Sequence, residues 1–229
     1  MEKSIASRGL RRLQRTLAIA VRAGVIPSNG LVLDAGCNSC TLSSLLASDG
    51  IKVINIDRQV VGPAPNTLRG DVRQLPFRDG QFEVVFCLEV LEHIEKWKGA
   101  FAELVRVGKW VVVTVPYKER RIFVRCPSCG SDTSLDGHVN VYDEQSFYFW
   151  GLEPVIKYIY STSRWGELLV REARILLRKY ILRRKEGVNK KTKCVHCGHI
   201  FGYFIKKELL KVRLGKFFRR EPDWIVFIF

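Results

Sequence analysis

Hydrophobic positions along the 229-residue chain recur with two periods. Near the N-terminus Ile5, Leu10, Leu13, Leu17, Ala20 and Val21 follow helical spacing, which predicts a helix over 5–26 that Pro27-Ser28-Asn29-Gly30 stops. Then come short, nearly continuous apolar runs of strand length: 31–33, 52–56, 67–70, 83–88 and 109–115, the last dense in valine and ended by Pro116. Helical patterns over 41–47 and 92–105 lie between them. Strands that are apolar throughout, alternating with helices, predict a parallel sheet covered on both faces. After Pro116 the rhythm breaks. A helix is expected over 143–151, a sixth strand over 154–160 and a last strand over 224–229.

Charge divides the chain further. Residues 162–222 carry 18 Lys/Arg against five acids, whereas residues 31–161 are slightly acidic; the first 30 residues carry six basic groups and one acid. A basic block on about a quarter of the chain points to an acidic partner, RNA or an anionic membrane surface. Within it Trp165, Leu168, Leu169, Leu176, Tyr180 and Ile181 recur at helical spacing, and Arg171, Arg174, Arg178 and Lys185 form a basic stripe on the same predicted helix. No secretory leader is read at Met1-Glu2-Lys3, and six of the seven cysteines lie in C-x-x-C pairs, so a cytoplasmic, reducing location is expected.

The first pair, Cys37-Asn38-Ser39-Cys40, overlaps a second motif. Leu33-Asp34-Ala35-Gly36 is a strand running into a glycine turn that opens a helix, the place where α/β folds cradle nucleotides. Asp57 follows Gly36 by 21 residues, at the end of the second strand, where an acid can accept hydrogen bonds from ribose hydroxyls. The dinucleotide fingerprint G-x-G-x-x-G is absent: Asn38 and Cys40 stand where further glycines would be expected. Asp34 beside the turn repels a pyrophosphate and suits a cationic ligand. The backbone reading of the turn is preferred, with Cys37 and Cys40 buried as small hydrophobes; a metal or redox pair is the alternative.

These residues resemble the class I S-adenosylmethionine-dependent methyltransferases, of the type 11-like kind. The first motif is similar to Leu31-Val32-Leu33-Asp34-Ala35-Gly36-Cys37-Asn38-Ser39-Cys40, and the acidic second-strand end to Ile54-Asn55-Ile56-Asp57. Gly70-Asp71-Val72-Arg73-Gln74-Leu75-Pro76-Phe77 looks like the third-strand end, and Phe82 to His93 like the fourth strand with the start of the following helix. The resemblance covers about residues 31–116. It implies a doubly wound, mostly parallel seven-stranded Rossmann-like sheet whose last strand is antiparallel. It implies S-adenosylmethionine as cofactor, held by Asp34, Gly36, Asn38, Asp57, Asp71, Val72 and Leu88, with Asp71 toward the adenine amino group. Methyl transfer from a sulfonium mainly needs the acceptor aligned and water excluded. Glu89 and His93 are the candidate catalytic or positioning residues, and Tyr117, His138, Asp143 and Glu144 the candidates for lining the acceptor site. Leu88-Glu89-Val90-Leu91 stands where amino-methylating enzymes carry Asn/Asp-Pro-Pro-Tyr/Phe/Trp, which lowers the expectation of methylation at a base's exocyclic amine.

Cys126-Pro127-Ser128-Cys129-Gly130 and Cys194-Val195-His196-Cys197-Gly198 are two knuckles, with 64 residues between Cys129 and Cys194. Two such pairs read as one structural four-thiolate zinc site, with Cys126, Cys129, Cys194 and Cys197 as ligands and two half-sites completed between subunits as the alternative. His196 and His199 are substitute ligands. The seven-stranded topology implied by the resemblance would bring both knuckles out at the sheet edge that carries the active site. The expected organisation is an N-terminal basic helix over 1–30, a cofactor-binding α/β core over 31–161 with the first knuckle at 126–130, a basic insertion over 162–222 with the second at 194–198, and the last core strand over 223–229. The expected function is a methyltransferase whose zinc-braced basic insertion docks the acceptor, RNA before a small or lipid-like metabolite at a membrane. A catalytically inactive zinc-dependent nucleic-acid-binding module is the third possibility.

Overall fold

The computed structural model describes residues 2–59, 65–149, 151–160, 187–206 and 224–229. The chain divides into two compact units. The first comprises Met1–Lys118, Asn140–Tyr160 and Trp224–Phe229; the second comprises Glu119–Val139 and Ser161–Asp223.

In the first unit, helix α1 (Glu2–Arg22) precedes strand β1 (Leu31–Ala35), helix α2 (Thr41–Ala47), strands β2 (Lys52–Asp57), β3 (Thr67–Arg69) and β4 (Phe82–Leu88), helix α3 (Trp97–Val107) and strand β5 (Gly108–Pro116). In the second unit lie β6 (Phe123–Arg125) and β7 (Asp132–Ser134). Strand β8 (Ile156–Tyr160) belongs to the first unit, β9 (Gly187–Lys193) and β10 (Ile200–Lys206) to the second, and β11 (Trp224–Ile228) to the first. Seven strands form one mixed sheet in the order β3-β2-β1-β4-β5-β11-β8. Strand β11 runs antiparallel to both neighbours, in the orientation the resemblance implied.

Successive side chains of the central strands point to opposite faces, and both faces are buried. Val32, Val84, Phe86, Val112 and Val226 pack with Ala20 of α1 and Leu42 and Leu46 of α2. Leu33, Ala35, Val85, Cys87, Val113 and Ile225 pack with Ala100, Phe101 and Leu104 of α3. This two-sided burial is why the strands read as unbroken apolar runs.

Helix α1 stops before Ile26, the end that its pattern predicts. Gly24 takes a left-handed conformation (φ 69°), its N–H donates to the Val21 carbonyl at 3.0 Å, and the Val25 N–H donates to the Ala20 carbonyl at 3.2 Å. These two bonds satisfy the last carbonyls and end the helix with Val25 buried against Ala20. The helix expected over 92–105 is also interrupted. A 3-10 turn at Leu91–His93 is followed by extended Ile94, and α3 starts only at Trp97. Asn140 explains the break: its side-chain amide donates to the carbonyls of Leu91 (3.1 Å) and Ile94 (2.7 Å), and its N–H to that of Glu92 (3.3 Å). Where a helix is expected over 143–151, residues 143–149 form turns. Asp143 Oδ1 accepts from the Gln145 N–H and the Ser146 hydroxyl, and Phe147 and Phe149 insert among Trp97, Phe101 and Phe227. Burying both rings on α3 requires a spacing of two, which a helix cannot supply.

The predicted basic helix over 165–185 lies outside the described residues. Among the described residues no helix is long and apolar enough to cross a membrane.

Candidate cofactor crevice and cysteine cluster

The parallel part of the sheet reverses direction of growth between β1 and β4, and the crevice of a doubly wound sheet opens at such a point, beyond the carboxyl ends of the strands. The chain turns there at Gly36. The Gly36 N–H donates to the Ile56 carbonyl at 2.7 Å, tying the turn to β2. Gly36 has φ 86°, and a Cβ at this position would lie 2.3 Å from Val90 Cγ2, so glycine is required by both conformation and space. Asn38 (φ 44°) and Cys40 (φ 52°) are also left-handed, so the turn keeps its shape without the later glycines. Asparagine tolerates that region through its short polar side chain; Cys40 does so without such help.

Asp57 holds the turn from the other side. Its Oδ2 accepts the Asn38 N–H at 2.9 Å and its Oδ1 the Gln59 N–H at 2.9 Å. Asp34 is buried in β1. Burial, with the Asp57 charge adding, pushes its carboxyl up to about 7. Cys37 and Cys40 are buried with their sulfurs 3.1 Å apart, and burial pushes the Cys37 thiol up. Among the described residues these two thiols join no group of three or more potential metal ligands.

Asp71 follows β3, next to Gly70, whose N–H donates to the Asp57 carbonyl at 2.9 Å. Side-chain hydrogen bonds from Arg73 hold the Asp71 carboxyl below its usual range. Val72 is buried beside it. The next residues are anchored from α3: Glu103 accepts the Leu75 N–H at 2.8 Å, and Arg106 donates to the carbonyls of Leu75 and Phe77. Leu88 ends β4, and Glu89 follows it with φ 61° and its N–H on the Thr114 carbonyl at 3.0 Å.

Asp34, Gly36, Asn38 and Asp57 are therefore brought together, with Gly70-Asp71 tied to the end of β2 and the Glu89-Val90 segment against the glycine turn. His93 is exposed in the 3-10 turn. Tyr117 donates its hydroxyl to Glu144, which lowers the Glu144 carboxyl to about 2 with help from Lys118. Asp143 is used in its own turn. His138 belongs to the second unit and pairs there with Glu119 at 2.5 Å. Sequence reasoning missed Arg12 and Trp224. Arg12 of α1 grips Glu89 with two guanidinium nitrogens and lies 4.4 Å from the Trp224 ring centroid. No local signal separates Arg12 from the other basic residues of the N-terminal segment.

The second unit contains two antiparallel hairpins, β6–β7 and β9–β10, each carrying one C-x-x-C-G knuckle at its tip. The knuckles have the same hydrogen bonds. Gly130 and Gly198, both left-handed, donate to the carbonyls of Cys126 and Cys194, and those two cysteines donate to the carbonyls of Ser131 and His199. The sulfurs of Cys126, Cys129, Cys194 and Cys197 all lie within 4.8 Å of one another, with Cys126–Cys197 at 3.7 Å and Cys129–Cys194 at 3.6 Å. A tetrahedral zinc with sulfur at about 2.3 Å needs sulfurs about 3.8 Å apart, so the cluster fits one. Hydrogen bonds from the Ser131 backbone and side chain bring the Cys129 thiol down to about 6. Cys197 stands at about 11: the His199 amide lowers it, and burial and the neighbouring thiols outweigh that.

Residues 33–110 match the family model described as "Methyltransferase domain". That match covers about a third of the chain. Among curated proteins, it is 30% identical over 109 residues to the ubiquinone biosynthesis O-methyltransferase of Bordetella parapertussis, covering 41% of this chain and 45% of that one. The chain spans about half the length of the curated relatives it matches. Among solved structures, the [4+2]-cyclase SpnF superposes with a TM-score of 0.56 at 17% identity, covering 94% of this chain and 79% of that one. Phosphoethanolamine N-methyltransferase 2 of Haemonchus contortus, solved with S-adenosyl-L-methionine, superposes with 0.55 at 15% identity, covering 94% of this chain and 51% of that one. At these identities the two structures show a shared fold alone, and the cyclase shows that this fold also serves other chemistry.

Proposed function

We propose that the protein is an S-adenosylmethionine-dependent methyltransferase. The observation that carries this reading is the hydrogen-bonded link from Asp57 to the Gly36-Asn38 turn, at the point where the sheet reverses. Asp57 would take the ribose hydroxyls, since each of its oxygens spends one lone pair on a backbone N–H and keeps another. Asp71 and Val72 would meet the adenine, and Asp34 would favour a cationic ligand once ionised, at a pH above about 7. Gly36, Asn38 and Leu88 supply the backbone edges of the crevice. The cofactor, when bound, would supply a methyl on a sulfonium: a new bond from the acceptor's lone pair to the methyl carbon would replace the C–S bond, with S-adenosylhomocysteine as the leaving group. The chain's own part is to align the acceptor and exclude water. Glu89 fits an orienting role, because both its oxygens are already engaged by Arg12.

The second unit would hold one structural zinc between Cys126, Cys129, Cys194 and Cys197, with no open position for catalysis. Such a thiolate site favours a reducing compartment, in keeping with a cytoplasmic protein. Exposed Lys191 and Lys193 on β9 belong to the basic segment 162–222, which would dock an anionic acceptor, RNA first. A small or lipid-like acceptor is the second reading, favoured by the match to a ubiquinone biosynthesis O-methyltransferase. The test is to incubate the protein with methyl-labelled cofactor and an extract of its own cell, then separate RNA, protein and lipid. Label in RNA supports the first reading and label in lipid the second; no label anywhere and no cofactor binding would sink methyl transfer itself.

A further inference from the structure

Helix α1 does more than cover one face of the sheet. Its apolar residues Leu13, Leu17 and Ala20 would bury that face whatever its polar side chains did. Yet three polar side chains reach the carboxyl ends of β4 and β8 and the amino end of the antiparallel β11. Arg12 donates Nε to Glu89 Oε1 and Nη2 to Glu89 Oε2, just past β4. The same guanidinium lies over Trp224, the first residue of β11. Thr16 Oγ1 lies 3.3 Å from the Tyr160 hydroxyl at the end of β8, in a buried contact, and Arg15 approaches the same ring. Trp224 is in register with both Pro116 and Tyr160, so these ends form one edge of the sheet.

Glu89 is held in a left-handed conformation that disfavours residues with a side chain. Such a conformation persists only where the surroundings over-determine it. Here the Thr114 carbonyl fixes its backbone and Arg12 fixes its side chain. The next residue, Val90, is the wall against which Gly36 packs with no room for a Cβ. Holding Glu89 therefore holds one wall of the glycine turn.

We infer that Arg12 is a positioning residue of the cofactor crevice: by gripping Glu89 it locks α1 across the carboxyl edge and fixes the Glu89-Val90 wall of the Gly36 turn. The inference rests on the reading of that crevice as the S-adenosylmethionine site. Binding of the cofactor and ordering of α1 are then one coupled event, and Arg12 carries the coupling.

The experiment uses the full chain, S-adenosylhomocysteine as probe, and amide hydrogen exchange of peptides from α1. In the wild type, saturating ligand slows exchange in α1. Arg12→Ala raises the Kd by about three- to tenfold, the range expected for a two-pronged, partly exposed ion pair, and abolishes that slowing. Arg12→Lys, which keeps the charge and loses the second prong, falls between. Adding Glu89→Gln to Arg12→Ala raises the Kd for S-adenosylhomocysteine no further, because the grip between the two residues is already gone. A purely structural tether predicts something else: faster α1 exchange in Arg12→Ala, equally with and without ligand, and an unchanged Kd in both Arg12 variants. That result overturns the inference. Wild-type binding without protection of α1 overturns it too and leaves the cofactor reading standing. A wild type that does not bind S-adenosylhomocysteine removes both.

Discussion

Replacing Asp34 by asparagine should change how stability depends on pH. Asp34 lies in the middle of the sheet between Leu33 and Ala35, 4% exposed, and its carboxyl titrates near 7 against 3.8 for an ordinary aspartate. Burial is the main cause and the Asp57 charge the second. Between those two pH values the folded chain keeps a proton that the unfolded chain has released. The stability that goes with neutral Asp34 is therefore complete below 3.8, is lost as pH rises toward 7, and changes no further above it. At about 1.4 kcal/mol per pH unit, the whole window is worth roughly 4 kcal/mol, and the part between pH 5 and 8 roughly 3 kcal/mol. Asparagine does not titrate. Its buried amide costs about 1–3 kcal/mol at every pH if it lacks partners, which shifts the curve without tilting it. Urea unfolding of both proteins at several pH values, followed by tryptophan fluorescence, separates the two effects. The difference in unfolding free energy should move in favour of Asp34→Asn by roughly 3 kcal/mol from pH 5 to pH 8. Other titrating groups are common to both proteins and cancel in that difference. Parallel curves would show that Asp34 is ionised in the folded state and refute the reasoning from burial.

Three other outcomes are expected. Gly36→Ala should cost about 2–4 kcal/mol of stability, from left-handed strain plus the Val90 clash, and abolish S-adenosylhomocysteine binding; Gly36→Ala with Val90→Ala should recover part of the stability, and a fully stable, ligand-binding Gly36→Ala would contradict the packing of Gly36 on Val90. Asp57→Ala should weaken S-adenosylmethionine and S-adenosylhomocysteine equally, by about 1–3 kcal/mol in calorimetry, because it removes charged acceptors common to both. Elemental analysis should find about one zinc per chain, lost in Cys129→Ser and kept in Cys37→Ser, because only the former belongs to a four-thiolate set; loss of zinc from Cys37→Ser would reverse the reading of the glycine turn.

The valine-rich strands and the two knuckles were legible in the sequence because their causes are local. A strand buried on both faces must be apolar at every position, as in Val111-Val112-Val113, and a C-x-x-C-G knuckle closes its own hydrogen bonds within six residues. The Gly36 turn and Asp57 were legible for a related reason: a turn after a strand and an acid after the next strand are set by order along the chain. The elements that local pattern misplaced are those whose partners lie far away. Residues 92–105 have helical spacing, but Asn140 takes the carbonyls that a continuous helix would need. Residues 143–151 also read as a helix, and rings from α3 and β11 pulled Phe147 and Phe149 onto one side instead. Arg12 and Glu89 are 77 residues apart, one among several basic residues and one acid after a strand, and nothing in either neighbourhood joins them. The sequence alone set which segments were apolar enough to become the sheet and which cysteines stood in C-x-x-C pairs. Which polar side chains met was decided by tertiary structure, because only the packed sheet brings the ends of β4, β8 and β11 to a single helix.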